Sequence, residues 1–201
     1  MYPDPEMLSL IISEALQTAI DHKVDIINIS WATSSKNTVL DDKIRQAVSS
    51  VNKEPILVFC SKSDEPYAQS VYPADNTSTI SVAAATSRGR IGTEASISPD
   101  LVVLGEQMPA RTPNYYTGNQ DHVSGSSVAT ALATGMASLI LMLARTKWPK
   151  EWGNLKQKNE LLGLFKSLKP NESSSSAFVK PDIFLELKNL ERSIERYCAS
   201  D

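Results

Sequence analysis

Hydrophobic residues recur at two different periods along this chain, and the alternation between the periods predicts the order of helices and strands. Near the start, apolar residues lie three or four positions apart at Leu8, Ile12, Ala15 and Ala19. That spacing predicts a helix with one buried face. A short β-branched run follows at 24–30 and is typical of a strand.

The same alternation continues through the middle of the chain. Apolar residues at helical spacing in 40–51 precede a nearly all-apolar segment at 56–60, and strand-like segments follow at 79–84 and 101–104. A strand that is apolar on both faces is expected where helices cover both sides of a parallel sheet. The pattern therefore predicts an α/β fold of three layers, in which helices enclose a doubly wound, mostly parallel sheet.

The longest predicted helix, 126–145, is apolar on nearly every side. A helix of this composition is expected in the interior of a protein. Its longest largely apolar run, 136–144, is shorter than the roughly 20 residues that cross a bilayer. We therefore expect no membrane-spanning segment.

The character of the chain changes after this helix. Spaced leucines predict an amphipathic helix at 155–168, and a last helix is predicted at 181–196. The serine-rich segment between them is typical of a flexible linker. The predicted organisation is a domain over 1–145 and a helical C-terminal extension over 146–201, with the linker near 171–176.

Composition and charge exclude several classes of function. The chain has 20 Lys and Arg against 23 Asp and Glu, so it lacks the basic character expected of a nucleic-acid-binding protein. Its two cysteines, Cys60 and Cys198, are too few for a metal cluster or a disulfide framework. The first residues do not resemble a secretory signal. We expect an intracellular, cytoplasmic protein with no metal, cofactor, nucleic-acid or membrane partner.

The candidate chemistry lies where the 126–145 helix begins. Gly125 permits a tight turn into the helix, and Ser126 and Ser127 then occupy its first turn. Backbone N–H groups in a first turn lack intrahelical acceptors and lie at the positive end of the helix dipole. Such groups can stabilise the oxyanion formed when a hydroxyl attacks a carbonyl. Locally, Ser127 is either a helix cap or a nucleophile.

A wider set of segments favours the nucleophile. The segment 125–130, Gly-Ser-Ser-Val-Ala-Thr, resembles the Gly-Thr-Ser-Met-Ala-Thr motif of subtilisin-like serine proteases, the subtilases. The segment 25–30 resembles the Val-Ile-Asn-Met-Ser strand of that family. Tyr-Pro-Ala at 72–74, followed by 79–84, resembles its Tyr-Pro-Ala … Val-Ile-Ser-Val-Gly-Ala step. The order and spacing of these motifs hold from about residue 8 to residue 145.

The resemblance implies proteolysis by a Ser-His-Asp triad. The serine attacks the peptide carbonyl, the histidine takes its proton, and the aspartate orients the histidine. By position, Ser127 is the nucleophile and its own N–H is an oxyanion donor. Ser63 stands where the family has its oxyanion Asn, and loss of that donor typically costs ~100–1000-fold in turnover.

The resemblance also implies a substrate-binding surface. The backbone of Ser30, Trp31 and Ala32 would pair with a peptide as an added strand, although Trp31 could equally be a packing residue. Ser61 and Lys62 would lie along the specificity pocket. Lys62 stands where the family has a glycine, so its side chain either crowds the pocket or points to solvent.

The catalytic Asp and His of the family have no counterpart in this sequence, where His22 and His122 are the only histidines. His22 precedes its strand, whereas sites in parallel sheets form at the carboxyl ends of strands. His122 lies five residues before Ser127, an extended span of roughly 16 Å. Neither histidine is expected to contact Ser127.

Three hypotheses remain open. The chain is the Ser half of a subtilisin-like endopeptidase, an inactive pseudoprotease or interaction module, or an incomplete product whose Asp and His lie upstream. The expected partners are a peptide or protein substrate and the missing N-terminal portion or other domains of a larger protein. The segment 59–64 resembles one in subtilase domains of large fungal intracellular proteins. Alone, the 201-residue chain is expected to hydrolyse no peptides.

Overall fold

A parallel sheet forms the centre of the protein. The computed structural model describes residues 5–34, 36–49, 55–64, 71–91, 98–110, 122–168, 178–179 and 187–198. The strands are β1 (Ile26–Ile29), β2 (Leu57–Ser61), β3 (Ile80–Ala85), β4 (Leu101–Leu104), β5 (Met108–Pro109), β6 (His122–Val123) and β7 (Phe178–Val179). Five of them form a sheet in the order β1-β2-β3-β4-β7 with every neighbouring pair parallel, while β5 and β6 form a separate antiparallel pair.

Helices cover both faces of the sheet. They are α1 (Pro5–Asp21), α2 (Thr38–Val48), α3 (Ser126–Lys147), α4 (Lys158–Ser167) and α5 (Leu187–Cys198), with a 3₁₀ helix at Trp152–Lys156. One apolar core joins α3, α4 and α5 to one face, and a second core joins α1 and α2 to the other. This arrangement confirms the predicted α/β fold.

The residues of β2 alternate between the two cores. Leu57 and Phe59 lie in the core shared with α3, whereas Val58 and Cys60 lie in the core shared with α1 and α2. All four are at most 3% exposed. Because successive side chains of a strand point to opposite faces, a strand covered on both sides must be apolar along its whole length.

α3 is a core helix. Its 22 residues are long and apolar enough to cross a bilayer by length and composition, which corrects the expectation that no segment is long enough. Ala129, Ala133, Ala137 and Ile140 are 0% exposed and lie in the core against the sheet. Small side chains let the strands approach α3 closely, and this buried side packs the helix against the sheet.

Element boundaries differ from the predicted ones where the backbone turns. β1 begins two residues later than predicted, because the Val24 N–H still bonds to the Ala19 carbonyl and Lys23 has φ +51°. The predicted helix at 155–168 divides at Gln157, whose backbone is extended. The last helix starts at Leu187, and the predicted linker at 171–176 lies outside the described residues.

The segment after residue 145 shares its core with the sheet. Leu161, Phe165 and Ile194 are 0% exposed and lie in the same cluster as α3. β7 adds a parallel strand beside β4. The apolar core therefore continues across residue 145, and the division into a domain and an extension stays a prediction.

Candidate active site

A glycine fixes the entry of the chain into α3. Gly125 has φ +135°, a conformation that other residues rarely adopt, and its N–H donates a 2.8 Å hydrogen bond to the Gly105 carbonyl. A Cβ atom at Gly125 would lie only 2.9 Å from Asp64 Oδ2. The glycine therefore lets α3 begin directly beside the segment that follows β2.

Ser126 joins α3 to that segment. Its N–H donates to Asp64 Oδ1 at 2.7 Å, and its hydroxyl donates to the Lys62 carbonyl. Ser126 is 3% exposed, so these bonds satisfy polar groups that are shielded from water. The Asp64 carboxylate caps the positive end of α3, and the hydroxyl of Ser127 is left for another role.

Ser127 is exposed beside the end of β1. Its hydroxyl donates to the Ser30 carbonyl at 3.0 Å, and the Ser30 hydroxyl lies 3.4 Å from the Ser127 carbonyl. The N–H groups of Val128 and Ala129 bond to the Gly125 carbonyl. Within the part of the chain that the structure describes, the Ser127 N–H has no acceptor. It can therefore donate to an oxyanion formed at this position.

Ser63 lies beside the same helix end. It is half-buried between Lys62 and Asp64, both of which accept hydrogen bonds from Ser126. The structure thus brings Ser63 and Ser127 to one end of the sheet, where their strands and helix meet. The role of Ser63 as an oxyanion donor stays a prediction.

Lys62 turns into the protein. It is 5% exposed, and its Nζ lies 2.5 Å from Asp75 Oδ1. Asp75 Oδ2 accepts a 2.7 Å hydrogen bond from the Val71 N–H. Of the two orientations that the sequence left open, the structure shows the one that fills the space beside the strand end. Sequence reasoning missed Asp75, although a lysine directly after a buried strand signals a need for a buried anion.

The segment 30–32 follows β1 and becomes exposed at Ala32. Thr33 and Tyr72 exchange two backbone hydrogen bonds of 2.8 and 2.9 Å, which hold the end of the segment against the loop that carries Asp75. Trp31 is half-buried against the core of α1 and α2. A packing role for Trp31 is therefore observed, and its role in substrate binding, with that of Ser30 and Ala32, stays a prediction.

The whole arrangement has a counterpart among known proteins. The profile of the subtilase family matches residues 1–164 of the chain. The chain belongs to the subtilase family. Its parallel sheet and α3 lie in the places that the resemblance implied.

Individual subtilases are similar over most of this chain. Subtilisin NAT of Bacillus subtilis subsp. natto is 30% identical over 156 residues, which cover 75% of this chain and 38% of that protein. The thermostable alkaline protease of Halalkalibacterium halodurans is 24% identical over 71% of this chain and 37% of its own length. The chain thus spans well under half the length of these relatives.

Solved structures share the fold. The protease domain of PatA has a TM-score of 0.66 at 17% identity, over 92% of this chain and 66% of that domain. PagA, a prenylagaramide maturation protease, has a TM-score of 0.63 at 18% identity, over 90% of this chain and 67% of PagA. At these identities the likeness concerns the fold alone.

The histidines of this subtilase domain lie apart from Ser127. His22 is exposed at the end of α1, where its Nδ1 lies 2.8 Å from the Thr18 carbonyl. His122 is exposed on β6, opposite Pro109 of β5. Among the described residues, no hydrogen bond or ion pair joins either histidine to Ser127.

A buried carboxylate holds the loop that carries Asp75. Asp41 of α2 is 6% exposed, and its Oδ1 accepts from the Tyr72 hydroxyl at 3.0 Å and from Asn76 Nδ2 at 2.6 Å. Its Oδ2 pairs with Lys36 at 3.1 Å and with Arg45 at 2.9 Å. These groups line a cavity of about 380 Å³. Sequence reasoning did not find this cluster, because its members come from separate segments of the chain.

The cluster also controls the charge of its members. Burial acts to raise the pKa of Asp41, but bonds from Lys36 and Tyr72 and the positive charges of Lys36 and Arg45 outweigh it, so the pKa lies below its ordinary value of 3.8. Burial and the bond to Asp41 raise the pKa of Tyr72.

Burial raises the pKa of Cys60 to about 12, which makes this free thiol unreactive at neutral pH.

Proposed function

We propose that this chain is the nucleophile-bearing part of a subtilase endopeptidase, and that Ser127 attacks the peptide bond. The observation that carries the proposal is the first turn of α3. There an exposed hydroxyl and a backbone N–H that has no acceptor among the described residues belong to the same residue, while Ser126 and Asp64 make the capping contacts. A nucleophile and an oxyanion donor must lie this close together for acyl transfer.

In the proposed reaction, Ser127 Oγ adds to the carbonyl carbon as its proton passes to a base. The negative charge that forms on the carbonyl oxygen is stabilised by the Ser127 N–H and by Ser63. The base then gives its proton to the leaving amine, and water releases the acyl group by the same steps. The present contact of Ser127 Oγ with the Ser30 carbonyl cannot serve as the base, because an amide oxygen is far too weak a proton acceptor.

The base and its orienting carboxylate are supplied by a further portion of the protein. The edge of the sheet at β1, which pairs with no further strand among the described residues, supports this part of the proposal. In β1, Ile26 and Ile27 are only half-buried and Asn28 is exposed, and Leu139 and Met142 of α3 are 48% and 56% exposed. An open edge flanked by apolar side chains favours the addition of another strand with its own cover.

The proposal is tested by labelling with a fluorophosphonate, which reacts with activated serines. A gene product extended upstream to include an Asp-bearing strand and a His-bearing helix should be labelled at Ser127, as read by peptide mass spectrometry. Ser127→Ala should abolish the labelling. Ser138→Ala, which removes an exposed hydroxyl from the same helix, should leave it unchanged. If the extended product is never labelled, the protease proposal is wrong.

The second candidate is an inactive domain that binds other proteins through the retained fold. Two observations favour it: Ser63 stands in the place of the oxyanion Asn, and Lys62 with Asp75 fills the space beside the strand end. An extended product that is folded yet carries no label would support this candidate. An intracellular location stays a prediction that cell fractionation of the full product would test.

A further inference from the structure

Lys62 is buried, and its backbone lies against the first turn of α3. The Lys62 carbonyl accepts from the hydroxyl of Ser126, the neighbour of Ser127 in sequence. Ser127 in turn bonds to Ser30 at the end of β1. Three residues further along, Thr33 pairs with Tyr72 in the loop that leads to Asp75. The Lys62 side chain therefore starts next to the candidate nucleophile and ends at Asp75.

Asp75 is oriented as a receptor for a cation. One oxygen is fixed by the Val71 N–H at 2.7 Å, and the other faces the Lys62 ammonium at 2.5 Å. The Lys62 side chain is 5% exposed and that of Asp75 is 17% exposed. A charge shielded from water to this degree needs a partner of opposite sign, because the cost of removing it from water is several kcal/mol.

Among the described residues, no other ion pair involves Asp75. The two nearby cations, Lys36 and Arg45, pair with Asp41 instead. Lys62 is therefore a buried, unbranched chain whose terminal ammonium pairs with one carboxylate, and that carboxylate also lines the cavity of the Asp41 cluster. A lysine side chain of a bound ligand would show the same burial and the same contact with a carboxylate, but here the lysine belongs to the protein itself.

We propose that Asp75 is the floor of a binding pocket for a primary alkylammonium group, and that Lys62 fills this pocket in the native chain. A variant without the Lys62 side chain gains a site for small linear alkylammonium ions. The proposal rests on the buried ion pair of Lys62 with Asp75 and not on the proposed protease function.

Chemical rescue of stability tests the pocket in the 201-residue chain. Lys62→Ala leaves Asp75 without its cation and should lower Tm by roughly 5–10 °C. n-Propylammonium replaces the atoms removed and, at about 100 mM, should restore roughly 3 °C or more of that loss. Tetramethylammonium, which cannot donate a hydrogen bond, should restore none of it.

Two matched variants control for other effects of the amine. Lys62→Met keeps all but the last atom of the side chain's length and removes its charge, so most of the space stays filled and propylammonium should not raise its Tm. Lys62→Ala combined with Asp75→Asn empties the space but removes the charged floor, and it should not be rescued either. Equal shifts in all variants, or no shift in Lys62→Ala, would overturn the proposal. Because hydrolysis is not measured, failure of the Ser127 proposal would leave this result unaffected.

Discussion

The two ends of the parallel sheet carry similar polar groups, but they use them differently. At the amino end, Lys156 pairs with Asp25 at 2.9 Å, and Lys158 pairs with Asp100 at 3.0 Å and donates to the Thr79 carbonyl. These bonds join the sheet to the 3₁₀ helix and α4, which follow α3 in sequence. Their donors and acceptors satisfy one another, so this end of the sheet is a closed structural network.

At the carboxyl end, the residues around Ser127 bond to one another, but the N–H of Ser127 itself has no acceptor among the described residues. Ser126 bonds to Lys62 and Asp64, and Lys62 pairs with Asp75. Ser127 alone keeps an N–H without an acceptor among the described residues and an exposed hydroxyl. Reactive groups of parallel sheets are expected at this end. The contrast is that polar groups satisfy one another at the amino end, whereas at the carboxyl end they also hold Ser127, the proposed nucleophile, in place.

The largest effect that we expect is a gain in kcat from a substitution at the carboxyl end of the sheet, and it would sharpen this contrast. Ser63→Asn restores an amide donor with a longer reach beside the Ser127 N–H. In the extended product with its own His and Asp, we expect kcat for a peptide substrate to rise by roughly 100-fold or more. The gain should appear in kcat rather than in KM, because the added bond forms to the oxyanion and not to the bound substrate.

The matched control for that variant is Ser61→Asn, which lies on the same strand end but is 3% exposed. It should lower stability without raising kcat. An unchanged kcat in a folded Ser63→Asn protein would show that Ser63 does not lie where the oxyanion forms. The carboxyl end would then be a structural network like the amino end, and the comparison would fail.

The sequence predicted those parts of the fold that depend on local pattern. β2 and β3 are apolar throughout because both of their faces are buried, and α3 is apolar on nearly every side with one side buried against the sheet. β7 was not predicted, since its two residues show no periodicity and its pairing with β4 is set by tertiary contacts. Pattern analysis finds elements whose burial is extensive and misses those defined by a few long-range contacts.

The candidate site also has residues that the sequence predicted and residues that it did not. Gly125 and Ser127 were found because the turn into a helix is a local motif. The partners that complete the site were not, because Asp64 meets Ser126 across 62 residues and Asp75 meets Lys62 across 13 residues. No periodicity connects such pairs. The charge of Lys62 at the end of a buried strand indicates that a partner exists, but only the folded chain identifies it.

The second prediction concerns the amino end. Lys156→Ala removes a side chain that is 3% exposed and lies 5.5 Å from the centre of the Trp152 ring, and it leaves Asp25 without this partner. We expect the free energy of unfolding to fall by about 2–3 kcal/mol, which corresponds to a drop in Tm of roughly 4–10 °C. Chemical denaturation monitored by tryptophan fluorescence would measure it.

Two comparisons make that prediction specific. Lys150→Ala removes the same charge from an exposed position and should change stability by no more than about 0.5 kcal/mol. In the extended product, Lys156→Ala should leave fluorophosphonate labelling of Ser127 unchanged below its unfolding temperature. A loss of labelling in the folded protein would mean that the two ends of the sheet are coupled, contrary to the comparison.

The smallest effect is expected for a substitution at Asp41, whose cluster holds the loop that carries Asp75. The pKa of Asp41 is held below 3.8 in the folded protein, so its charged form stabilises the fold above that pH, and the contribution is lost as the pH falls through the lower, folded value. Asp41→Asn should cost about 1–2 kcal/mol at pH 7, and its difference from the parent should shrink below about pH 4.

Urea unfolding at a series of pH values between 2 and 7 would measure this difference. Asp42→Asn is the matched control, because Asp42 is the next residue, has the same charge and is 73% exposed. Its unfolding free energy should follow that of the parent at every pH. A difference for Asp41→Asn that stays constant down to pH 2 would show that lost packing, rather than the carboxylate charge, destabilises the variant. The loop that carries Asp75 would then be held by its shape and not by the Asp41 cluster.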